Sequence, residues 1–186
     1  MPSFPELDQP LTDGEVVVRP AAERDIPEVL IAYQDDPELH LRLGQERPPS
    51  GAELGRRAER AGADRATGRG MTLTIAGQGS DVCLGQIIVH HVDWEHSRAE
   101  LGIWVAPQAR GRGLARSALR LVARWLLREA SFERVQLRSE TGNEQLLTAA
   151  RAAGFQYEGI LRGYALERGE RVDNAVLSMV QRDLAG

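Results

Sequence analysis

Residues 104–119, WVAPQARGRGLARSAL, carry the tightest folding constraint in the chain. An apolar run stops at Pro107, which cannot continue a strand ladder. A helix then begins near residue 112 and runs to about 130. Leu114, Ala118, Leu121, Val122, Trp125 and Leu126 recur along its apolar face. Between strand and helix lies Q-x-x-G-x-G, made by Gln108, Gly111 and Gly113. The first amides of a helix lack internal acceptors and sit at the positive end of its dipole. Glycines there keep side chains out of the way, so an anion such as a pyrophosphate can reach bare backbone. Arg110 and Arg112 add positive charge beside it. Arg112, Arg116, Arg120, Arg124 and Arg128 form a stripe every four residues, mostly a solvated face, and only Arg112 and Arg116 lie near the turn.

Two other phosphate-binding patterns do not fit. In a dinucleotide fingerprint the third glycine would fall on Arg116. The acid required about 20 residues further on would be Glu133, which begins a strand instead of ending one. A Walker loop needs a lysine, and all 23 Lys+Arg residues of this chain are arginine.

The flanking segments predict a mixed α/β domain. EVVVRP (15–20) reads as a strand and AAERDIPEVLIAYQDDPEL as a helix. Residues 48–70 form a polar helix opened by Ser50. Then come strands at 71–77, 82–93 and 98–105, joined by the turns QGSD and WEHS. After the long helix follow a strand at 134–140, a helix beginning at Asn143 and capped by Gly154, and a closing hairpin that turns at RGE. Residues 1–14 are proline-rich and read as a loose arm before a single domain at 15–184.

At 186 residues, 42% of them hydrophobic, the chain can build one ordinary core. The net charge of −4 predicts no nucleic-acid partner, and no apolar run is long enough for a membrane span. The single cysteine, Cys83, lies among apolar neighbours as a buried thiol. One cysteine and no signal peptide point to the cytoplasm.

The strand AELGIWV, turn QARGRG, helix LARSALRLVARWL, then a strand, an Asn and AGF resemble the acetyl-CoA-binding core of GNAT N-acetyltransferases. VVVRPAAERDIPEV and GFQYEGILRGYALERGERVDNAVLSM narrow the resemblance to the RimJ/RimL-type branch. It runs over residues 15 to 184 and implies a seven-stranded mixed sheet with about four helices. The sheet would splay in a V between its fourth and fifth strands, here 98–105 and 134–140, with a bulge at Gly102. Pantetheine would pair with the backbone of Ile103, Trp104 and Val105. The pyrophosphate would rest on the turn of Gln108, Arg110, Gly111, Arg112, Gly113, Leu114 and Ala115. Asn143 would hydrogen-bond the pantetheine arm, cap its helix, or both.

The resemblance implies acetyl transfer from acetyl-CoA to a primary amine, with no metal. The acceptor is an N-terminal α-amine of a protein or peptide, or else a small amine; a non-catalytic acyl-CoA sensor is the other alternative. The family is often dimeric, so a homodimer is possible. Proton removal needs a base within reach. Glu100 matches a family glutamate, and His90 and His91 are its rivals, adjacent on a strand so that only one can face a cleft. The backbone N–H near Val105 would polarise the carbonyl. The family's usual thiolate-protonating positions hold Leu146 and Ala150, which have no proton to give. Tyr164 and Ser139 are the substitutes.

Overall fold

Alternation of buried valines and isoleucines builds the sheet. Val16 and Val18, Leu73 and Ile75, and Ile87 and Val89 are each 6% exposed or less, two residues apart on successive strands. The computed structural model describes residues 3–185. The elements are β1 (Leu11–Thr12), β2 (Val16–Pro20), α1 (Ile26–Asp35), α2 (Leu39–Arg42), α3 (Gly51–Ala66), β3 (Met71–Gly77), β4 (Gly85–Asp93) and β5 (Arg98–Val105). Then follow α4 (Leu114–Arg128), β6 (Arg134–Glu140), α5 (Glu144–Ala153), β7 (Gln156–Glu167) and β8 (Glu170–Val180). One mixed sheet runs in the order β1-β2-β3-β4-β5-β6-β8-β7. It has eight strands rather than seven because the two-residue β1 adds an edge. The fifth helix beyond the four expected is the single turn α2.

All neighbouring strands are antiparallel except β5 and β6. That parallel pair spans only Arg98↔Arg134 to Leu101↔Leu137. Beyond it β5 stays with β4 as far as Val105, while β6 stays with β8 as far as Glu140. The sheet therefore splits at Gly102, where the resemblance put the V.

The bulge is not at Gly102, which pairs in register with Ile88. It lies on β4: His90 pairs with Glu100 and Asp93 with Arg98, so three steps of β4 oppose two of β5. His91 absorbs the extra residue with a φ of +46°.

Helix α4 holds the two halves of the sheet together. Leu119, Val122 and Leu126 on its inner face are fully buried, and it packs on β2, β5, β6 and α5. Truncating one such leucine to alanine costs about 2–5 kcal/mol. Leu121, expected on that face, is half-buried.

The arm is not loose. Phe4 is buried, with its ring 5.3 Å from Trp94 in an edge-on arrangement, and Trp94 stacks 4.7 Å from Phe132. Residues 1 and 2 of the arm lie outside the described residues.

Candidate active site

A cleft of about 1600 Å³ opens where β5 and β6 part. The α4 turn forms one wall, α1 and α3 another, and α5 and the β7–β8 hairpin close the far side.

The glycine turn has the predicted local form. Gly111 and Gly113 have φ of +76° and +79°, and Gly113 is the residue before the first helical position of α4. A Cβ at Gly111 would meet nothing within 4 Å. Among the described residues, no acceptor is bonded to the N–H groups of residues 111 to 116. Among the described residues Arg112 and Arg116 have no acidic partner and are exposed at the cleft, so this wall is a row of free donors with positive charge alongside.

Two residues assigned to that turn do something else. Gln108 sits on a single 3-10 turn (Pro107–Ala109), exposed, and does not line the cleft. Arg110 is a brace: its Nη2 binds Asp36, which also binds Arg42, and its Nε donates to the Val105 carbonyl at 3.0 Å. Burial alone would raise the pKa of Asp36, but the two guanidiniums lower it further than burial raises it.

The open edge of β5 comes next. Ala106 donates to Leu84 across β4, and the Ser97 carbonyl accepts from Arg134 at the start of β6. The alternation between these points turns the peptide groups of Ile103 and Val105 toward the opening and those of Trp104 toward β4. Trp104 is buried and lines the cleft, though by this alternation its peptide groups point to β4. With the Val105 carbonyl taken by Arg110, the Val105 N–H and both groups of Ile103 remain on the open edge.

The inner end is polar and crowded. Glu100 is 6% exposed and lines the cleft. Its carboxylate is not free: Arg138 Nε lies 2.8 Å from both oxygens and Nη2 2.6 Å from Oε1. Gln136 donates to Oε2 at 3.0 Å. Arg98, two residues before Glu100 on β5, binds Asp93.

His90 and His91 both face the cleft, against the strand rule, because the bulge rotates one of them. Their Nδ1 atoms are 2.8 Å apart, and His91 Nδ1 is 3.9 Å from Glu100 Oε1. Ligand atoms of the three residues all lie within 4.8 Å of one another. Burial pushes His90 below the ordinary histidine range. Glu100 pulls it up, while His91 and Arg138 push it further down.

Asn143 lines the cleft and caps α5, its Oδ1 accepting from Leu146 N–H at 3.2 Å. Leu146 lines the cleft, and Ala150 is fully buried. Ser139 and Tyr164 both line it, and Arg138 stacks 4.3 Å from the Tyr164 ring. Cys83 is buried and its thiol is pushed up to about 11 by burial.

Arg138, Gln136 and Asp36 were not foreseen. RVQLRSE alternates, so Arg134, Gln136 and Arg138 visibly share one face of β6. That this face meets Glu100, 38 residues away, is not a local property.

A mixed sheet split beside a glycine-opened helix, with free amides at the split, is the arrangement of an acyl-CoA-dependent acetyltransferase domain. Residues 15–156 match the family model described as "Acetyltransferase (GNAT) domain", and the protein belongs to that family. It is similar to "Putative ribosomal N-acetyltransferase YdaF" of Bacillus subtilis (strain 168), 28% identical over 102 residues, 55% of this chain and 56% of that one. The match thus spans little more than half of that relative's length. Among solved structures, Mycobacterium smegmatis RimJ in complex with CoA-disulfide aligns at a TM-score of 0.80 and 21% identity, covering 96% of this chain and 88% of that chain. The ribosomal-protein-S5-alanine acetyltransferase from Vibrio fischeri aligns at a TM-score of 0.81 and 15% identity, covering 95% and 98%. At these identities the structural likeness is one of fold. Among the described residues no helix is long and apolar enough to cross a membrane.

Proposed function

We propose that the protein transfers an acetyl group from acetyl-CoA to a primary amine, and that the acceptor is an N-terminal α-amine of a protein or peptide. The observation that carries this is the single cleft shared by the free amides at the α4 start, the open edge of β5 and the Glu100–His90–His91 cluster, in which Glu100 is buried and His91 exposed. The diphosphate rests on residues 111 to 115, with Arg112 and Arg116 beside it. Pantetheine follows Ile103, Val105 and Asn143, and the Val105 N–H polarises the thioester carbonyl. The ammonium of the acceptor loses its proton at the inner end, and Tyr164, which lines the cleft, protonates the leaving thiolate. The relative named as a putative ribosomal N-acetyltransferase supports a protein N-terminus as the acceptor. The proposal places the protein in the cytoplasm, and sedimentation tests the homodimer that the family resemblance allows.

The test is thiol release from acetyl-CoA with peptides bearing free N-termini, the same peptides with blocked N-termini, and small amines. Turnover confined to free N-termini supports the proposal; turnover on small amines alone replaces the acceptor. Tight acetyl-CoA binding by calorimetry with no thiol release from any amine would mean a sensor. Heat with NADH and none with acetyl-CoA would mean an oxidoreductase.

A further inference from the structure

The left-handed backbone at His91 is the feature of the cleft that the fold does not require. A residue with a Cβ bears about 1 kcal/mol or more for such a conformation, and outliers of this kind gather at functional sites. What the bulge achieves here is the pairing of two imidazoles. His90 and His91 share a single hydrogen bond between their Nδ1 atoms at 2.8 Å. One nitrogen must carry the proton and the other must not.

The surroundings are asymmetric. His91 is exposed, with 69% of its side chain open to water. His90 is turned inward, and its Nε2 lies over Gly102: a Cβ at that glycine would come within 3.3 Å of it. Gly102 is the first residue of β5 beyond the last pair with β6, so His90 Nε2 stands at the apex of the split. The charged and titratable groups around the pair are Glu100 from β5 and Arg138 from β6, and these two neutralise each other. A carboxylate held on both oxygens by a guanidinium is a poor proton acceptor, whereas a neutral imidazole with a bare nitrogen is a good one.

We infer that His90 Nε2 is the general base of the acetyl transfer, and that His91 is the positioning residue that fixes its tautomer and carries the proton to solvent. The inference rests on the acetyltransferase reading above. With His90 Nδ1–H donating to His91 Nδ1, Nε2 is bare and points into the split. The acceptor ammonium gives one proton to Nε2. His90 passes its Nδ1 proton to His91 Nδ1, and His91 releases its Nε2 proton to water. The amine nitrogen then bonds to the thioester carbonyl carbon as the carbon–sulfur bond breaks. The sulfur leaves with that electron pair and takes the phenol proton of Tyr164, and Tyr164 is reprotonated by the second amine proton. Once the products have left, water takes the Nε2 proton of His90, the shared proton returns from His91 Nδ1 to His90 Nδ1, and His91 Nε2 is reprotonated from water. This restores the starting tautomers with no net change in protons. An ammonium and a thioester become an amide, a thiol and one proton in water. Glu100 and Arg138 supply the floor on which the pair is held.

Two measurements test this. The first needs no turnover: nitrogen NMR of the wild-type imidazoles at about pH 7.5. His90 is expected to carry its proton on Nδ1 and His91 on Nε2; a proton on His90 Nε2 overturns the assignment. The second is kcat/KM against pH, from about 5.5 to about 9. Wild-type kcat/KM should fall with unit slope on the acid side, at a pH below the ordinary histidine range. His90→Gln should lose about 100-fold or more in kcat/KM, lack that acid limb, and keep its acetyl-CoA affinity. His91→Asn should lose about tenfold and keep the limb. His90→Gly should regain activity when imidazole is added, a rescue that a purely structural histidine does not show. If wild type turns over and His90→Gln stays within about threefold of it, His90 is not the base while the acetyltransferase reading stands. If wild type turns over no amine, that reading fails and takes the base with it.

Discussion

Arg138 grips Glu100 from the neighbouring strand: its Nη2 lies 2.6 Å from Oε1 and its Nε 2.8 Å from both oxygens. Both side chains are nearly buried, at 13% and 8% exposure. Glu100→Gln therefore leaves a buried guanidinium without its counter-charge, which costs about 3–5 kcal/mol. Thermal melts should show the loss. Replacing the pair together, as Glu100→Gln with Arg138→Met, should recover much of it. Full stability in the single variant would show that the pair does not hold the inner cleft.

Gly113→Val places a β-branched side chain at a φ of +79° and on the face of the free amides. The strain alone costs about 1–3 kcal/mol. Acetyl-CoA affinity measured by calorimetry on the folded variant should drop at least tenfold, about 1.4 kcal/mol. Unchanged affinity would move the diphosphate away from this turn.

Arg110 and Arg112 are two residues apart and should fail differently. Arg110 binds Asp36 and the Val105 carbonyl, so Arg110→Met should lower Tm and leave the salt dependence of acetyl-CoA binding as it is. Arg112 is exposed and has no acidic partner among the described residues, so Arg112→Ala should leave Tm alone, weaken binding a few-fold and flatten its salt dependence. Binding and melting over a salt series separate the two.

Glu167, on the cleft side of the β7–β8 hairpin, is pushed up to about 7, first by burial and then by Glu140; Arg168 and Arg42 oppose the shift. A carboxyl raised in the folded state stabilises below its unfolded pKa, near 4.3, and that stability is lost as pH rises through about 7. Glu167→Gln should therefore raise Tm by a few degrees, roughly 2–4 °C, at pH 8, with little gain at pH 5. An equal gain at both values would mean the two carboxyls do not share a site.

Local patterns made most of the fold legible. Pro107 ends a strand, and two glycines of positive φ admit a helix start with bare amides. The periods of two and 3.6 separate strands from helices, as in the α4 face of Leu114, Ala118 and Val122. The positions of Gln108 and the Trp104 backbone were set by tertiary structure. A 3-10 turn sets Gln108 outside the cleft, and the pleat of β5 turns the Trp104 backbone to β4. Neither the turn's handedness nor the strand's parity is written in residue types.

From residues alone came the elements, their order, the anion-binding turn and the short roll of titratable groups near it, since each depends on neighbours a few positions apart. Only the folded chain decided which of those groups can act. Glu100 was matched to Arg138 across 38 residues, Arg110 to Asp36 across 74, and Phe4 to Trp94 at the far end of the sheet. The bulge that brings His90 and His91 to one face is a mismatch of register between two strands, three steps against two. Such a mismatch exists only once the strands are paired.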